Sequence, residues 1–117
     1  MEHIILEFRE IIQNYEIITY NTDYNKVLFD ANIYFKNDSI LSCKDVLIFN
    51  EDNSVKRKYS FHWMDFHHKL IMRWDNAHYH KKISTYPFHK HIGIENTIEA
   101  ANEISLYEVL SYIRQTI

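Results

Sequence analysis

The spacing of apolar residues changes twice along the chain and divides it into a helix, a series of strands and a second helix. Residues 4–15 carry apolar side chains at the spacing of an amphipathic helix, which predicts a helix over residues 3–14. Near the C-terminus, Ser105 and Glu108 have the spacing of a capping box. A second predicted helix follows, with a buried stripe formed by Leu106, Val109, Leu110 and Ile113.

Between these helices, apolar residues recur at every second position, which is typical of half-buried strands. The predicted strands are 16–20, 27–35, 41–48, 57–64 and 70–75, with a short edge strand at 83–86 and a polar connection at 95–103. The turn-forming run Lys36-Asn37-Asp38-Ser39 predicts a hairpin. The alternation changes parity at Lys44-Asp45, which predicts a bulge.

These elements predict an α+β fold in a single domain over residues 1–117. We expect a curved antiparallel β-meander of about five strands, with the N-terminal and C-terminal helices covering one face. With 117 residues and 46% hydrophobic composition, the chain can bury a core without metals or disulfides. The single cysteine, Cys43, is predicted to be a small core residue, and Trp63 and Trp74 are predicted to lie in the core.

The sequence contains no pattern of a secretory signal peptide, and its apolar runs are too short for a membrane span. We therefore expect a cytoplasmic protein with no membrane partner.

Charge is distributed unevenly along the chain. Residues 56–93 contain eight Lys or Arg and two acidic residues, a balance of +6, whereas the rest contains five and fourteen, a balance of −9. Seven of the eight histidines also lie in the positive part. This asymmetry predicts an anionic partner such as RNA, a phosphate or an acidic protein.

The segment 73–93 is the candidate functional segment. It holds four histidines, four basic residues and the only proline and glycine of the chain. Such irregular segments on a rigid scaffold often carry binding or catalytic residues. His78 and His80 are two positions apart, as are His89 and His91, so each pair lies on one face if its segment is extended.

These imidazoles suit general acid–base chemistry near neutral pH, which a metal-independent ribonuclease needs to deprotonate the 2′-hydroxyl and protonate the leaving oxygen. Asp75, on the same strand face as Arg73, is the candidate that orients an imidazole. Arg73, Lys81, Lys82 and Lys90 are candidates for phosphate binding. The candidates for stacking on bases are Tyr79, Tyr86 and Phe88.

Two other interpretations stay open for the same residues. His80, His89, His91 and Asp75 are also suitable ligands for a divalent transition metal such as Zn²⁺. Taken singly, each histidine is better explained as a surface residue, and Arg73 with Asp75 as an exposed ion pair worth under about 1 kcal/mol. His62, His67 and His68 are predicted to be solvated, and His3 is predicted to be incidental to function.

Several motifs in this region resemble the TumE family of toxins from bacterial and archaeal type II toxin-antitoxin systems. The matching stretches are Phe61-His62-Trp63, Arg73-Trp74-Asp75-Asn76-Ala77, His80, Thr85-Tyr86-Pro87, His89-Lys90-His91 and Ser105-Leu106-x-Glu108-Val109-Leu110. The family pattern is approximately Arg-Tyr-Asp-Asn-Ala-Pro-His-His, a spacer, then Phe-Pro-His-His-Lys-His. This chain departs from it at His78-Tyr79 and at Phe88.

The resemblance implies a small toxin neutralised by a cognate antitoxin, usually a DNA-binding protein, and acting on RNA or translation. It adds Asn76 to the candidate substrate-binding residues. Our leading hypothesis is a toxin that acts on RNA as a metal-independent ribonuclease and needs no cofactor. The alternatives are a metal-dependent hydrolase or nuclease, and a non-enzymatic module that docks an acidic partner through its basic face. A homodimer is a further expectation.

Overall fold

A computed structural model of the protein describes residues 1–78, 80–93 and 96–117. Within these residues, strands that follow one another in the chain pair antiparallel in one seven-stranded sheet. The elements are α1 (Glu2–Glu7), β1 (Ile12–Asp23), β2 (Lys26–Phe35), β3 (Ile40–Phe49), β4 (Val55–Met64), β5 (Leu70–Asp75), β6 (His89–Ile92), β7 (Thr97–Ala100) and α2 (Leu106–Thr116).

The α+β class, the antiparallel meander and the two terminal helices are confirmed. Helix α2 begins as predicted, because the Ser105 side chain accepts from the Glu108 backbone and the Glu108 side chain accepts from the Ser105 backbone. The hairpin between β2 and β3 is also confirmed. Asp38 has a φ of 71° there, a conformation that a short polar side chain tolerates without glycine.

The number of strands was predicted wrongly, since the sheet has seven and not about five. The two additional strands, β6 and β7, occupy segments predicted as loop and polar connection, whereas residues 83–86 form turns instead of an edge strand. In β6, the buried side chains are two histidines on the face opposite the helices, so an apolar alternation could not reveal the strand. Glu95, the first residue of the predicted connection, lies outside the described residues.

The first helix was predicted too long, because α1 ends at Glu7 and β1 begins at Ile12. Ile12 pairs with Phe35, and Tyr15 pairs with Ile33 on the next strand. The helix-like spacing of residues 11–15 is therefore overridden by strand pairing, in which β-branched and aromatic side chains pack well.

The predicted bulge at Lys44-Asp45 is also wrong, because β3 pairs in continuous register with both neighbours. The parity change has a different cause. On the core face, Asp45 follows Cys43 and binds Arg57 at the margin of the core, with Oδ2 of Asp45 2.8 Å from Nη2 of Arg57. Beyond this ion pair the apolar residue Val46 lies on the opposite face, so the pattern changes while the backbone stays regular.

The hydrophobic core lies between one face of the sheet and the two helices, as predicted. Phe8, at the end of α1, contacts the ring of Tyr107 in α2, with centroids 5.3 Å apart. Trp63, Trp74 and Cys43 are buried in this core, which confirms their predicted structural role. Burial raises the pKa of the Cys43 thiol, which makes it a poor nucleophile. None of the described helices is long and apolar enough to cross a membrane.

The opposite face of the sheet, which we call the open face, carries the candidate site. The strand register places polar residues side by side there in two rows that cross four strands. One row is Lys44, Ser60, Asp75 and His89, and the other is Ser42, His62, Arg73 and His91. Because directly paired residues have Cβ atoms only about 4.5–5.5 Å apart, the register brings these functional groups together.

Candidate functional site

Asp75, at the end of β5, is the centre of the candidate site. Its carboxylate is buried, with 6% of the residue exposed. Oδ1 accepts from the Ala77 backbone at 3.0 Å and lies 2.8 Å from Nε2 of His89, while Oδ2 accepts from Nε of Arg73 at 3.1 Å. The interpretation of Arg73 and Asp75 as an exposed surface ion pair is therefore wrong, because Asp75 is buried. A buried carboxylate needs partners, and here both oxygens have them.

His89 lies between two acceptor oxygens. Its Nδ1 is 2.9 Å from the Pro87 carbonyl, and its Nε2 faces the Asp75 carboxylate. A carbonyl and an ionised carboxylate can only accept, so both ring nitrogens must carry protons if both contacts are hydrogen bonds. The geometry therefore favours His89 as an imidazolium paired with Asp75.

His91 is held in the opposite state. Nε2 of His91 lies 3.0 Å from Nη2 of Arg73 and 3.4 Å from Oδ2 of Asp75. A guanidinium can only donate, so the shorter contact is a hydrogen bond only if this nitrogen accepts. Burial lowers the pKa of His91, and the charge of Arg73 lowers it further, against the opposing effect of Asp75. Nδ1 of His91 is buried, and among the described residues no hydrogen bond to it has normal geometry, although an interaction with the Asn96 side chain acts to raise the pKa. His91 is thus favoured as a neutral imidazole beside a charged one.

The structure brings three of the four loop histidines together. The ring of His80 lies over the other two, with centroids 4.9 Å from His89 and 5.5 Å from His91, and it is more exposed than either. His89 and His91 are 2% and 3% exposed. The fourth, His78, is exposed and packs against Tyr86 instead.

These groups line a cavity of about 710 Å³ on the open face. Its walls also contain cationic and polar side chains that the sequence-based candidates did not include, namely Lys44, Lys56, Lys58, Ser60 and His62. The signal for three of them was present, because Lys58, Ser60 and His62 occupy the polar parity of the fourth predicted strand. What the sequence lacked was the register that connects this strand to Asp75.

His62 was predicted to be solvated, and this is wrong, since it is half-buried in the cavity wall opposite Arg73. Burial lowers the pKa of His62, and the neighbouring Arg73 charge acts in the same direction. The predictions for His67 and His68 are confirmed, because both are exposed.

Several predicted substrate-binding residues lie away from the cavity. Lys81 and Lys82 are exposed and do not line it, and neither does Tyr86. Lys90 pairs with Trp74, so its side chain lies on the helix-covered face, opposite the histidines. The positions of these four residues therefore do not support the prediction that they belong to the site.

The stacking and amide candidates are also placed differently from expectation. Phe88 stacks on Tyr59, with centroids 6.5 Å apart, and packs against the hydrophobic core. Asn76 lines the cavity, but its amide accepts from the Tyr59 backbone at 3.0 Å and donates to the Arg57 carbonyl at 2.7 Å, which fixes β4 to the end of β5. Tyr79, the remaining stacking candidate, lies outside the described residues.

The same cluster has some features of a metal centre. One ligand atom from each of His80, His89 and His91 lies within 4.8 Å of the others. The contact of His89 Nδ1 with the Pro87 carbonyl is typical of a metal-binding histidine, because it leaves Nε2 for the ion. The Arg73 guanidinium opposes this assignment, since it occupies the lone pair of His91 and places a positive charge beside the ligands.

No curated protein matches the chain significantly, and no solved structure does. A protein-family model described as "Toxin TumE" matches residues 1–117, which is the whole chain. The match covers the sheet, the histidine cluster and both helices, so it is not limited to one motif. The chain therefore belongs to the TumE toxin family.

Proposed function

We propose that this toxin cleaves RNA as a metal-independent ribonuclease and that the cluster of His80, His89, His91 and Asp75 carries the chemistry. The supporting observation is that two imidazoles contact Asp75 in different surroundings. His89 lies between two acceptor oxygens, whereas Nε2 of His91, 3.4 Å from Oδ2 of Asp75, faces the Arg73 guanidinium. Paired groups whose environments favour opposite protonation states are the arrangement that acid–base catalysis uses.

In the proposed reaction, neutral His91 removes the proton of a ribose 2′-hydroxyl, and the 2′-oxygen attacks the adjacent phosphorus. The bond from phosphorus to the 5′-oxygen breaks, and that oxygen takes the Nε2 proton of the His89 imidazolium, which gives up its contact with Asp75 in this step. The products are a 2′,3′-cyclic phosphate and a 5′-hydroxyl. A proton then has to return from His91 to His89, and His80, whose ring lies over both, is placed to exchange protons with water in the cavity.

Arg73 is the proposed phosphate-binding residue within the cluster. Its side chain is about 29% exposed and lines the cavity while Nε is held by Asp75. On substrate binding, Nη2 would exchange His91 for a phosphate oxygen, which frees the His91 lone pair and stabilises the negative charge that develops on phosphorus.

The experiment is to incubate purified protein with a labelled single-stranded RNA in EDTA and to analyse the product ends. We expect cleavage that survives the chelator, leaves cyclic phosphate ends and fails on RNA with 2′-deoxy substitution at the cleaved position. His80→Ala, His89→Gln and His91→Gln should each remove cleavage while circular dichroism and thermal unfolding show a folded protein.

The matched control is His67→Ala, which removes an exposed imidazole in the turn between β4 and β5 and should leave cleavage unchanged. Each variant is purified in the same way as the wild type, so that a contaminating nuclease would appear in every preparation. Cleavage that persists in folded His89→Gln and His91→Gln protein would exclude the proposed chemistry.

The convergence of three histidine nitrogens within 4.8 Å favours a metal-dependent hydrolase or nuclease as the second candidate. His80, His89 and His91 would hold the ion with Asp75 as the carboxylate ligand, and a bound ion such as Zn²⁺ would supply Lewis acidity and an activated water. This candidate predicts stoichiometric metal by elemental analysis, activity lost in EDTA and restored by Zn²⁺, and cleavage that does not need a 2′-hydroxyl.

Membership in a toxin family also implies a cognate antitoxin as a partner. That the antitoxin binds DNA, that the toxin acts in the cytoplasm and that it forms a homodimer remain predictions. Docking of an acidic partner through the basic surface, without catalysis, is the remaining alternative. It would be favoured if the histidine variants kept growth arrest while charge reversal at Lys81, Lys82 and Lys90 abolished it.

A further inference from the structure

Three lysines on the open face take no part in the chemistry proposed above. Lys44 on β3 and Lys56 and Lys58 on β4 are exposed, and all three line the cavity that contains the histidine cluster. Among the described residues, none of the ion pairs involves these lysines. In contrast, the neighbouring Arg57 is paired with Asp45 and Glu103. The lysines therefore contribute positive charge that is available to an anion.

The register arranges these charges along the sheet. Lys56 and Lys58 are alternate residues of one strand and so lie about 7 Å apart on the same face. On the neighbouring strand β3, Val46 lies opposite Lys58, and Lys44 is two positions further along. Lys44 lies opposite Ser60, in the row that continues to Asp75 and His89. This spacing is comparable to that between successive phosphates of an extended single strand.

The depth of the histidines restricts which polyanion can use this surface. His89 and His91 are nearly buried and line the cavity with His80 above them. A phosphate within a stiff duplex cannot descend to such groups, whereas an unpaired nucleotide can enter a cavity of about 710 Å³. The geometry therefore favours an unpaired strand over a double helix.

We propose that the open face of β3 and β4 is a binding track for unpaired RNA, on which Lys56, Lys58 and Lys44 contact successive phosphates of a strand whose next nucleotide enters the histidine cavity. This proposal adds a substrate-binding surface to the proposed function, and it rests on that function for the identity of the ligand as RNA. Lysine contacts of this kind fix the path of the strand and supply affinity without reading its sequence.

The test is fluorescence anisotropy with a labelled single-stranded RNA that carries 2′-O-methyl groups, so that binding is measured without cleavage. Wild-type protein is compared with Lys56→Glu/Lys58→Glu and with the control Lys81→Glu/Lys82→Glu, which makes the same change in net charge outside the cavity. We expect the first pair to weaken binding and to reduce the slope of log K against log salt by about 1.4 for two lost contacts. The control should keep the wild-type slope, and a duplex of the same sequence should bind more weakly.

If the introduced glutamates disturb the sheet, the same binding measurements are made with Lys56→Gln/Lys58→Gln, which removes the positive charges without adding negative ones. An unchanged slope in folded track variants, an equal loss in the control pair, or no RNA binding by the wild type would each overturn the track. Failure of the ribonuclease proposal is distinguishable, because uncleaved unmodified RNA with a track-dependent slope leaves binding intact and excludes only the cleavage step.

Discussion

Asp75 and His89 lie opposite each other on adjacent strands, with Oδ1 of Asp75 2.8 Å from Nε2 of His89, and both residues are buried. Breaking a buried ion pair leaves the remaining charge without compensation, so we expect Asp75→Asn and His89→Gln each to lower the free energy of unfolding by about 1–3 kcal/mol. The double variant should show a coupling of about 0.5–3 kcal/mol, measured by urea denaturation of all four proteins.

The exposed pair of Glu10 and Arg114, 3.3 Å apart, serves as the control cycle. Its coupling should be under about 1 kcal/mol, because solvent screens surface charges. If the Asp75 and His89 effects simply add, the two side chains do not interact in solution as they do in the structure.

Gly93 follows β6 and has a φ of +70°, and among the described residues no atom beyond its chain neighbours lies within 4 Å of a Cβ placed there. The cost of Gly93→Ala should therefore be conformational only, and we expect a loss of about 1–2 kcal/mol in unfolding free energy. Gly93→Asn should lose less, because asparagine tolerates positive φ. Chemical denaturation of the three proteins checks the order, and equal stability of the alanine variant would show that the turn relaxes.

Strands could be predicted from the sequence where apolar residues occupy every second position. The prediction failed where the buried alternate positions are polar. Residues 27–35 alternate clearly, and the predicted strand matches β2 within one residue. In β6, the buried side chains are His89 and His91 on the open face, and their burial depends on Asp75 and Arg73, which a local pattern cannot show. Ile12 shows the other limit, because strand pairing with Phe35 overrides a local helical spacing.

The sequence predicted the types of residue in the candidate site, but the predicted set was incomplete. His80, His89, His91, Arg73 and Asp75 were named from the sequence, and the structure places them together. Lys90 was misplaced because strand alternation puts it on the face opposite to its neighbours, which follows only once residues 89–92 are known to be a strand. His62 was missed because its proximity to Arg73 is created by the register of β4 with β5.

Helix α2 depends on its N-cap, since the Ser105 hydroxyl accepts from the Glu108 backbone at 3.2 Å. Ser105→Ala should lower the free energy of unfolding by about 1 kcal/mol. RNA binding should not change, because the cap lies outside the cavity. Gln115→Ala, an exposed change in the same helix, is the control and should have little effect on stability. If both variants lose the same unfolding free energy in denaturation curves, the Ser105 cap does not stabilise α2.

His62 makes the stability of the fold depend on pH in a defined direction. Burial and then Arg73 lower its pKa from 6.5 in the folded state, and the residues directly paired with it are Arg73 on β5 and Ser42 on β3. The unfolded chain therefore binds the proton first, so this contribution is complete above pH 6.5 and is lost as the pH falls through the lowered value. His62→Gln should lose less unfolding free energy than wild type between pH 7.5 and 5.5 in urea titrations at each pH. His67→Ala, which removes an exposed histidine, should keep the wild-type dependence, and parallel curves for wild type and His62→Gln would show that the folded state leaves this imidazole free to titrate.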